Sequence, residues 1–86
     1  MEFEFDPAKS VSNREKHGVD FVQARELWQD PMRAEVPART TDEPRWLVIG
    51  RMDGRLWSAV VTYRQDRIGI ISVRRARDEE KRIYEV

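Results

Sequence analysis

The pattern of apolar and polar positions predicts a short strand and then two helices in residues 2–31. "EFEF" at 2–5 alternates polar and apolar residues, which predicts a short half-buried strand. A helix is predicted from Pro7 to about His17, because Asp6 can cap its start and Gly18 suits the left-handed position past its end. A second helix is predicted from capping-box spacing at 20–23 to about 29–31, where a proline ends it.

From residue 32 the pattern changes to strand periodicity. Residues 32–40 predict an edge strand, because Pro37 cannot donate to a strand ladder. A turn at 41–44, the "DG" at 53–54 and the "QD" at 65–66 separate further strands at 45–52, 55–64 and 67–75. Residues 76–86 predict a C-terminal helix with acidic residues in its first turn.

This order, β-α-α-β-β-β-β-α, predicts an α+β fold in a single domain over residues 1–86. We expect an antiparallel sheet with the helical hairpin on one face. The other face is shielded only by the short C-terminal helix, and a partly open sheet face is where a ligand would bind.

Composition limits the classes of protein that fit. The chain has 86 residues and no cysteine, which excludes disulfides and cysteine-bound metals. Its first residues, "MEFEFDPAKS", do not resemble a signal peptide, and no apolar run is long enough to span a membrane. We therefore expect a soluble, cytoplasmic protein without a membrane partner.

The net charge is zero, but residues 45–77 carry eight arginines against two aspartates, a balance of +6. Arginine makes bidentate contacts with phosphate and carboxylate groups, so the partner is expected to be anionic. Strand alternation places Ile68, Ile70, Ser72 and Arg74 on one face, which we expect to be the face of Thr62 and Arg64. On this basis Arg51, Arg64 and Arg74 are expected to converge near one end of the sheet. The alternative is that each arginine pairs with a nearby carboxylate or lines a solvated strand edge.

No recognised catalytic or nucleotide-binding motif appears in the chain. The carboxylates are scattered, so neither a metal site nor a cofactor is expected. With His17 as the only histidine, a two-histidine nuclease mechanism is excluded. Any nuclease activity is therefore expected to be metal-independent.

Several segments together resemble the BrnT family of toxins. They include "FDPAK" at 5–9, "NREKHGVDF" at 13–21, "LWQDP" at 27–31, "RWLVIGR" at 45–51, "VVTYR" at 60–64 and "RIGIISVRRA" at 67–76, followed by a glutamate and a tyrosine at 80 and 84. The resemblance extends over residues 3–85. Two departures are the neutral net charge, where many ribonuclease toxins are basic, and Val73, where alanine is common.

The resemblance implies a ribonuclease toxin of a type II toxin–antitoxin system with a RelE-like fold. It also implies a BrnA-type antitoxin, which carries the operator-DNA contacts and can form a toxin–antitoxin heterotetramer. The positions that it marks as functional are Lys16, His17, Arg64, Arg74, Arg75, Glu80 and Tyr84.

These inferences together predict RNA cleavage by attack of a ribose 2′-OH on the adjacent phosphate. Arg64 and Arg74 are expected to hold that phosphate, and Tyr84, His17 or Glu80 to transfer protons. Lys16, Arg51 and Arg75 are expected to bind RNA.

Structural interpretations of the same residues stay open. His17 can be a cationic helix end, and Tyr84 an anchor for its helix. The alternative function is a non-enzymatic protein- or RNA-binding module that uses the arginine-rich face. A small DNA-binding repressor is a third class, disfavoured because no recognition-helix pattern appears.

Overall fold

The secondary structure follows the predicted order of elements. The structure is a computed structural model that describes residues 2–39 and 43–85. Within these ranges the elements are β1 (Glu2–Glu4), α1 (Pro7–His17), α2 (Phe21–Ala24), a 3₁₀ helix (Arg25–Gln29), β2 (Ala34–Ala38), β3 (Arg45–Met52), β4 (Arg55–Arg64), β5 (Arg67–Arg75) and α3 (Asp78–Glu85). The α+β class is confirmed. The turn predicted at 41–44 falls partly outside the described residues, as do the last residues of the predicted strand 32–40 and helix 76–86.

The described strands form one mixed sheet in the order β1-β5-β4-β3-β2. The pairs β2–β3, β3–β4 and β4–β5 are antiparallel, whereas β1 runs parallel to β5, with Phe3 opposite Ile68. The expectation of a wholly antiparallel sheet is therefore wrong at β1. Alternation within "EFEF" predicted a strand but held no information about its partner. Phe3 also packs edge-on against Trp28, which fixes β1 beneath the helices.

Capping residues define both early helices as predicted. The Asp6 carboxylate accepts a hydrogen bond from the Ala8 N–H, and Gly18 ends α1 with φ of 82°. A capping box starts α2. The second helix continues to Gln29 as a 3₁₀ helix, whose Leu27 is fully buried against Gly50 of β3. A Cβ on Gly50 would lie 3.3 Å from Leu27, so the glycine allows this close approach.

A bulge in β5 changes which residues share a face of the sheet. Val60 pairs with Ser72, but Val61 pairs with Ile70, which leaves Ile71 as an extra residue. Ile70 therefore faces the helices, whereas Ser72 and Arg74 lie on the opposite face. The expectation that Ile68 and Ile70 share a face with Ser72 and Arg74 is wrong, because strict alternation stops at the bulge.

Two apolar clusters lie on opposite faces of the sheet. The larger one packs beneath α1, α2 and the 3₁₀ helix, and includes Val19, Phe21, Ala24, Leu27, Val48, Ala59, Val61, Ile68, Ile70 and Val73. The helical hairpin on one face is therefore confirmed. The smaller cluster lies beneath α3 and contains Ile49, Leu56 and Ala76, with Tyr84 packed against it. No helix of the described part of the chain is long and apolar enough to cross a membrane.

Candidate functional site

Glu80 is a buried carboxylate at the centre of the contact between α3 and the sheet. It accepts hydrogen bonds from the Ser58 hydroxyl at 2.8 Å, the Arg77 N–H at 2.8 Å, and both terminal nitrogens of Arg74 at 2.7 Å. The hydrogen bonds from Arg74 lower the pKa of Glu80 to about 2; burial opposes this shift, and the bonds from Arg77 and Ser58 support it.

This geometry favours a positioning role for Glu80 over proton transfer. Both of its oxygens are occupied, and a carboxylate with so low a pKa is a weak base near neutral pH. Its hydrogen bonds raise the pKa of Arg74 and fix the orientation of the guanidinium. The Arg74 side chain is still 24% exposed, so a ligand can reach it.

Tyr84 lies one turn further along α3 and contacts a second, half-buried junction. Its hydroxyl donates to Asp30 Oδ2 at 2.6 Å, and the same oxygen accepts from the Arg51 N–H at 2.8 Å. The Asp30 carboxylate also accepts from the Met32 N–H at 2.9 Å. The Arg51 guanidinium lies 5.7 Å from the centre of the Tyr84 ring.

The hydrogen bonds of this junction affect both of its titratable groups. The hydrogen bond to Asp30 raises the pKa of Tyr84, and burial adds to the effect. Desolvation alone would raise the pKa of Asp30, but the bonds from Tyr84, Arg51 and Met32 outweigh it and keep that pKa below its ordinary value. Tyr84 therefore stays protonated beside a charged carboxylate.

The sequence patterns did not predict Asp30 as a site residue; they indicated only that a helix ends near it. The available signal was its place in "LWQDP", one of the segments shared with the toxin family. Pattern analysis could not show that β3 and α3 both meet this carboxylate, because the contacts span 21 and 54 residues of the chain.

Five arginines lie at the end of the sheet formed by the β3–β4 turn and the last residues of β5. We call this the arginine-rich end; its members are Arg51, Arg55, Arg74, Arg75 and Arg77. Among the described residues, Arg74 is the only one of the five whose guanidinium forms an ion pair. Arg75 instead lies 5.5 Å over the Trp57 ring. This end of the sheet therefore combines five arginines, four of them without an ion pair among the described residues, with the nearby carboxylates of Asp30, Asp53 and Glu79.

Arg64 lies at the opposite end of the sheet. It pairs with Arg67 across the β4–β5 hairpin, six residues along β4 from the position opposite Arg74. That spacing corresponds to roughly 20 Å. Two 2.8 Å hydrogen bonds join its guanidinium to Glu43. The expected convergence of three arginines is therefore wrong for Arg64, because residues on one face of a hairpin need not lie at the same end.

Lys16 and His17 lie at the exposed end of α1. Together with Lys9 and Ser12 they line a shallow cleft against Ser72 of β5. Among the described residues His17 makes neither a hydrogen bond nor an ion pair, so its side chain caps no carbonyl group. Its cleft shares no described residue with the surface around Asp30 and Arg51.

Metal-ligating side chains do not gather in this region. Across residues 2–39 and 43–85, no group of three or more His, Cys, Asp or Glu side chains comes close enough to hold an ion.

Comparison with known families assigns the chain. Residues 5–80 match the family described as "Ribonuclease toxin, BrnT, of type II toxin-antitoxin system". The chain therefore belongs to the BrnT family, as its sequence motifs indicated. A search of curated proteins found no match. Membership in a type II toxin–antitoxin family implies an antitoxin partner.

Proposed function

We propose that this chain, as a single toxin domain over residues 1–86 with a RelE-like fold, is a metal-independent endoribonuclease that arrests growth by cutting RNA. The observation that carries the proposal is the arginine-rich end, where Glu80 of α3 orients Arg74 and Tyr84, one turn further along α3, lies beneath the Arg51 guanidinium, in a member of a ribonuclease-toxin family. Charge of this kind suits a polyanionic substrate.

Arg74 and Arg51 are the proposed phosphate ligands. The reaction adds negative charge to the phosphate as the 2′-OH attacks, and fixed guanidinium groups stabilise that charge without reorganising. Glu80 supplies the rigidity, because two parallel hydrogen bonds hold the plane of the Arg74 guanidinium. Arg75, which packs over Trp57, is proposed to bind the flanking RNA.

Tyr84 is the proposed proton donor to the leaving 5′-oxygen. Its raised pKa keeps the hydroxyl protonated, and the proton that Asp30 accepts in this structure would turn to the leaving 5′-oxygen as the P–O5′ bond breaks. The proton of the attacking 2′-OH would leave to water as the 2′-O–P bond forms. The same contacts also support the alternative that Tyr84 only anchors α3, since its ring packs on the smaller apolar cluster. His17 remains a second candidate for proton transfer; it lies in the neighbouring cleft on α1.

The test uses the purified chain, free of antitoxin, incubated with RNA in excess chelator. Cleavage that leaves a 2′,3′-cyclic phosphate is expected, because the attacking 2′-OH belongs to the nucleotide on the 5′ side of the broken bond. RNA with 2′-O-methyl groups is the control and should stay intact. Cleavage only after a divalent ion is added would overturn the metal-independent mechanism.

The second candidate is a non-enzymatic RNA- or protein-binding module. One observation favours it: Glu80 and Tyr84, two of the groups predicted to transfer protons, are both engaged in hydrogen bonds within the chain. RNA binding without cleavage in the same assay would support this candidate.

The proposed partner is a BrnA-type antitoxin, which would neutralise the chain in the cytoplasm and connect it to operator DNA. A heterotetramer of two toxins and two antitoxins is the proposed assembly. Co-expression with the co-encoded small protein, followed by mass measurement of the purified complex, tests this composition.

A further inference from the structure

The cleft between α1 and the edge of β5 has a basic and polar lining. Lys9, Ser12 and Lys16 recur at spacings of three and four along α1, so they lie on one side of the helix. His17 at the end of the helix and Ser72 on β5 complete the polar lining, with Ile71 between the two elements. The lining therefore combines two lysines, an imidazole and the Ser12 hydroxyl with the edge of β5 at Ile71 and Ser72.

The basic side chains of this cleft have no ion-pair partner in the described part of the chain. In the described ranges, Lys9, Lys16 and His17 have no ion-pair partner, whereas Arg14 on the same helix lies 3.9 Å from Asp20. Arg64 and Arg67, at the far end of the sheet, are likewise paired with glutamates. The cleft thus carries two lysine charges without an ion-pair partner in the described ranges.

Asn13 fixes the walls of the cleft against each other. Its buried side-chain amide donates to the carbonyls of Val19 at 2.7 Å and Val73 at 2.9 Å, and its oxygen accepts from the Val73 N–H at 3.1 Å. The amide thus holds α1 against β5 at Val73, beyond residues 67–69, which pair with β1. The bulge at Ile71 lies in the same stretch of β5. A ligand would meet a preformed surface and not a flexible one.

Ser72 is the residue of the cleft that lies nearest in sequence to Arg74. Ser72 precedes Arg74 by two residues on the same face of β5, a separation of about 7 Å. A single RNA strand whose scissile phosphate contacts Arg74 can therefore continue towards Ser72 and the lysines of α1.

We propose that the cleft lined by Lys9, Ser12, Lys16, His17 and Ser72 is a phosphate-binding subsite for the RNA strand flanking the cleaved bond. The proposal rests on the proposed ribonuclease function and deepens it by giving the path of the substrate. Lysine and serine side chains are typical donors to nucleic-acid phosphates. The described residues of the lining include no Phe, Trp or Tyr, the side chains that anchor most protein interfaces, which disfavours a protein ligand here.

The test compares uncleavable 2′-O-methyl RNA of two and ten nucleotides. The wild type is compared with the double variant Lys9→Gln/Lys16→Gln, and with Arg14→Gln, a matched control that removes one charge from another side of α1. Fluorescence anisotropy at several salt concentrations gives affinity for the longer RNA, and NMR titration gives it for the dinucleotide. Thermal unfolding checks that each variant is folded.

The double variant is expected to bind the ten-nucleotide RNA at least tenfold more weakly. Its slope of log affinity against log salt should fall by about 1.4, because each phosphate contact on a single strand contributes about 0.7. Dinucleotide binding should not change, and Arg14→Gln should stay within about twofold of the wild type. The single imidazole, that of His17, should shift in NMR spectra with the ten-nucleotide RNA.

Unchanged affinity and salt slope in the double variant, with a wild type that cleaves RNA, would overturn the subsite and leave the proposed function intact. Retained RNA binding with loss of antitoxin binding would also overturn it, and would assign the cleft to a protein partner. A wild type that neither binds nor cleaves RNA would contradict the proposed function itself.

Discussion

Arg74 and Glu80 form a bidentate ion pair, with Nη1–Oε1 and Nη2–Oε2 both at 2.7 Å. The pair joins the end of β5 to the first turn of α3, and only 8% of the Glu80 side chain is exposed. The same interaction therefore holds α3 on the sheet and presents Arg74 at the candidate site. The free energy of unfolding and the rate of RNA cleavage should therefore both depend on this pair, and different substitutions can change them separately.

Glu80→Gln should reduce the free energy of unfolding by about 2–3 kcal/mol at neutral pH, because the folded state lowers the pKa of this carboxyl from 4.5 to about 2. A lowered pKa stabilises the fold above the unfolded pKa, and this stabilisation is lost as pH falls through the folded value. The difference from the wild type should thus shrink between about pH 5 and pH 2. Urea unfolding across this range measures it.

Glu79→Gln is the matched control, since Glu79 is exposed in the same turn of α3 and makes no hydrogen bond or ion pair among the described residues. It should change stability by less than about 0.5 kcal/mol. Equal pH dependence in both variants would show that the helix dipole, and not the buried pair, is responsible.

Arg74→Lys should lower RNA cleavage on the order of tenfold or more, because lysine cannot make the bidentate contacts of a guanidinium. Arg64→Lys, which changes an arginine about 20 Å away on the same face, should change it by less than about threefold. Single-turnover cleavage assays separate the two. A larger loss at Arg64 would contradict the placement of the site at the arginine-rich end.

Sequence periodicity was sufficient for the elements, the caps and the face on which Arg64 and Arg74 lie. The expected convergence was wrong because a shared face does not fix the position along the strands: the predicted turn at 65–66 folds β5 back beside β4 and sends Arg74 to the other end. The bulge at Ile71 was also invisible, since an extra residue in a strand rich in isoleucine leaves the hydrophobic pattern unchanged. Local patterns specify elements, whereas sites depend on contacts that are distant in sequence.

Tyr84→Phe distinguishes a proton donor from a helix anchor. Loss of the hydrogen bond to Asp30 should cost about 0.5–1.5 kcal/mol of stability in either case. If Tyr84 donates a proton, kcat should fall on the order of 100-fold or more with little change in KM.

Tyr63→Phe is the control for this comparison. Tyr63 also donates to a carboxylate, that of Glu35, and burial together with this bond raises its pKa to about 12. It lies opposite Ile68, towards the end of the sheet away from Arg74. Its variant should lose similar stability but keep kcat. Equal kcat losses in both variants would assign Tyr84 to anchoring alone.

Two substitutions of Asn13, to alanine and to aspartate, test the contact that joins α1 to the free edge of β5. Asn13→Ala should reduce the free energy of unfolding by about 2–4 kcal/mol, because it leaves buried backbone groups of Val73 and Val19 without partners.

Asn13→Asp should reduce the free energy of unfolding further at pH 7, since a carboxylate oxygen would face two carbonyl oxygens. Protonation relieves that repulsion, so the folded state should raise the pKa of the introduced carboxyl, and the variant should regain stability relative to the wild type as pH falls. Val11→Ala, at a 60% exposed position of the same helix, is the control for urea unfolding. An aspartate variant as stable as the wild type at pH 7 would show that these three hydrogen bonds do not hold α1 on the sheet.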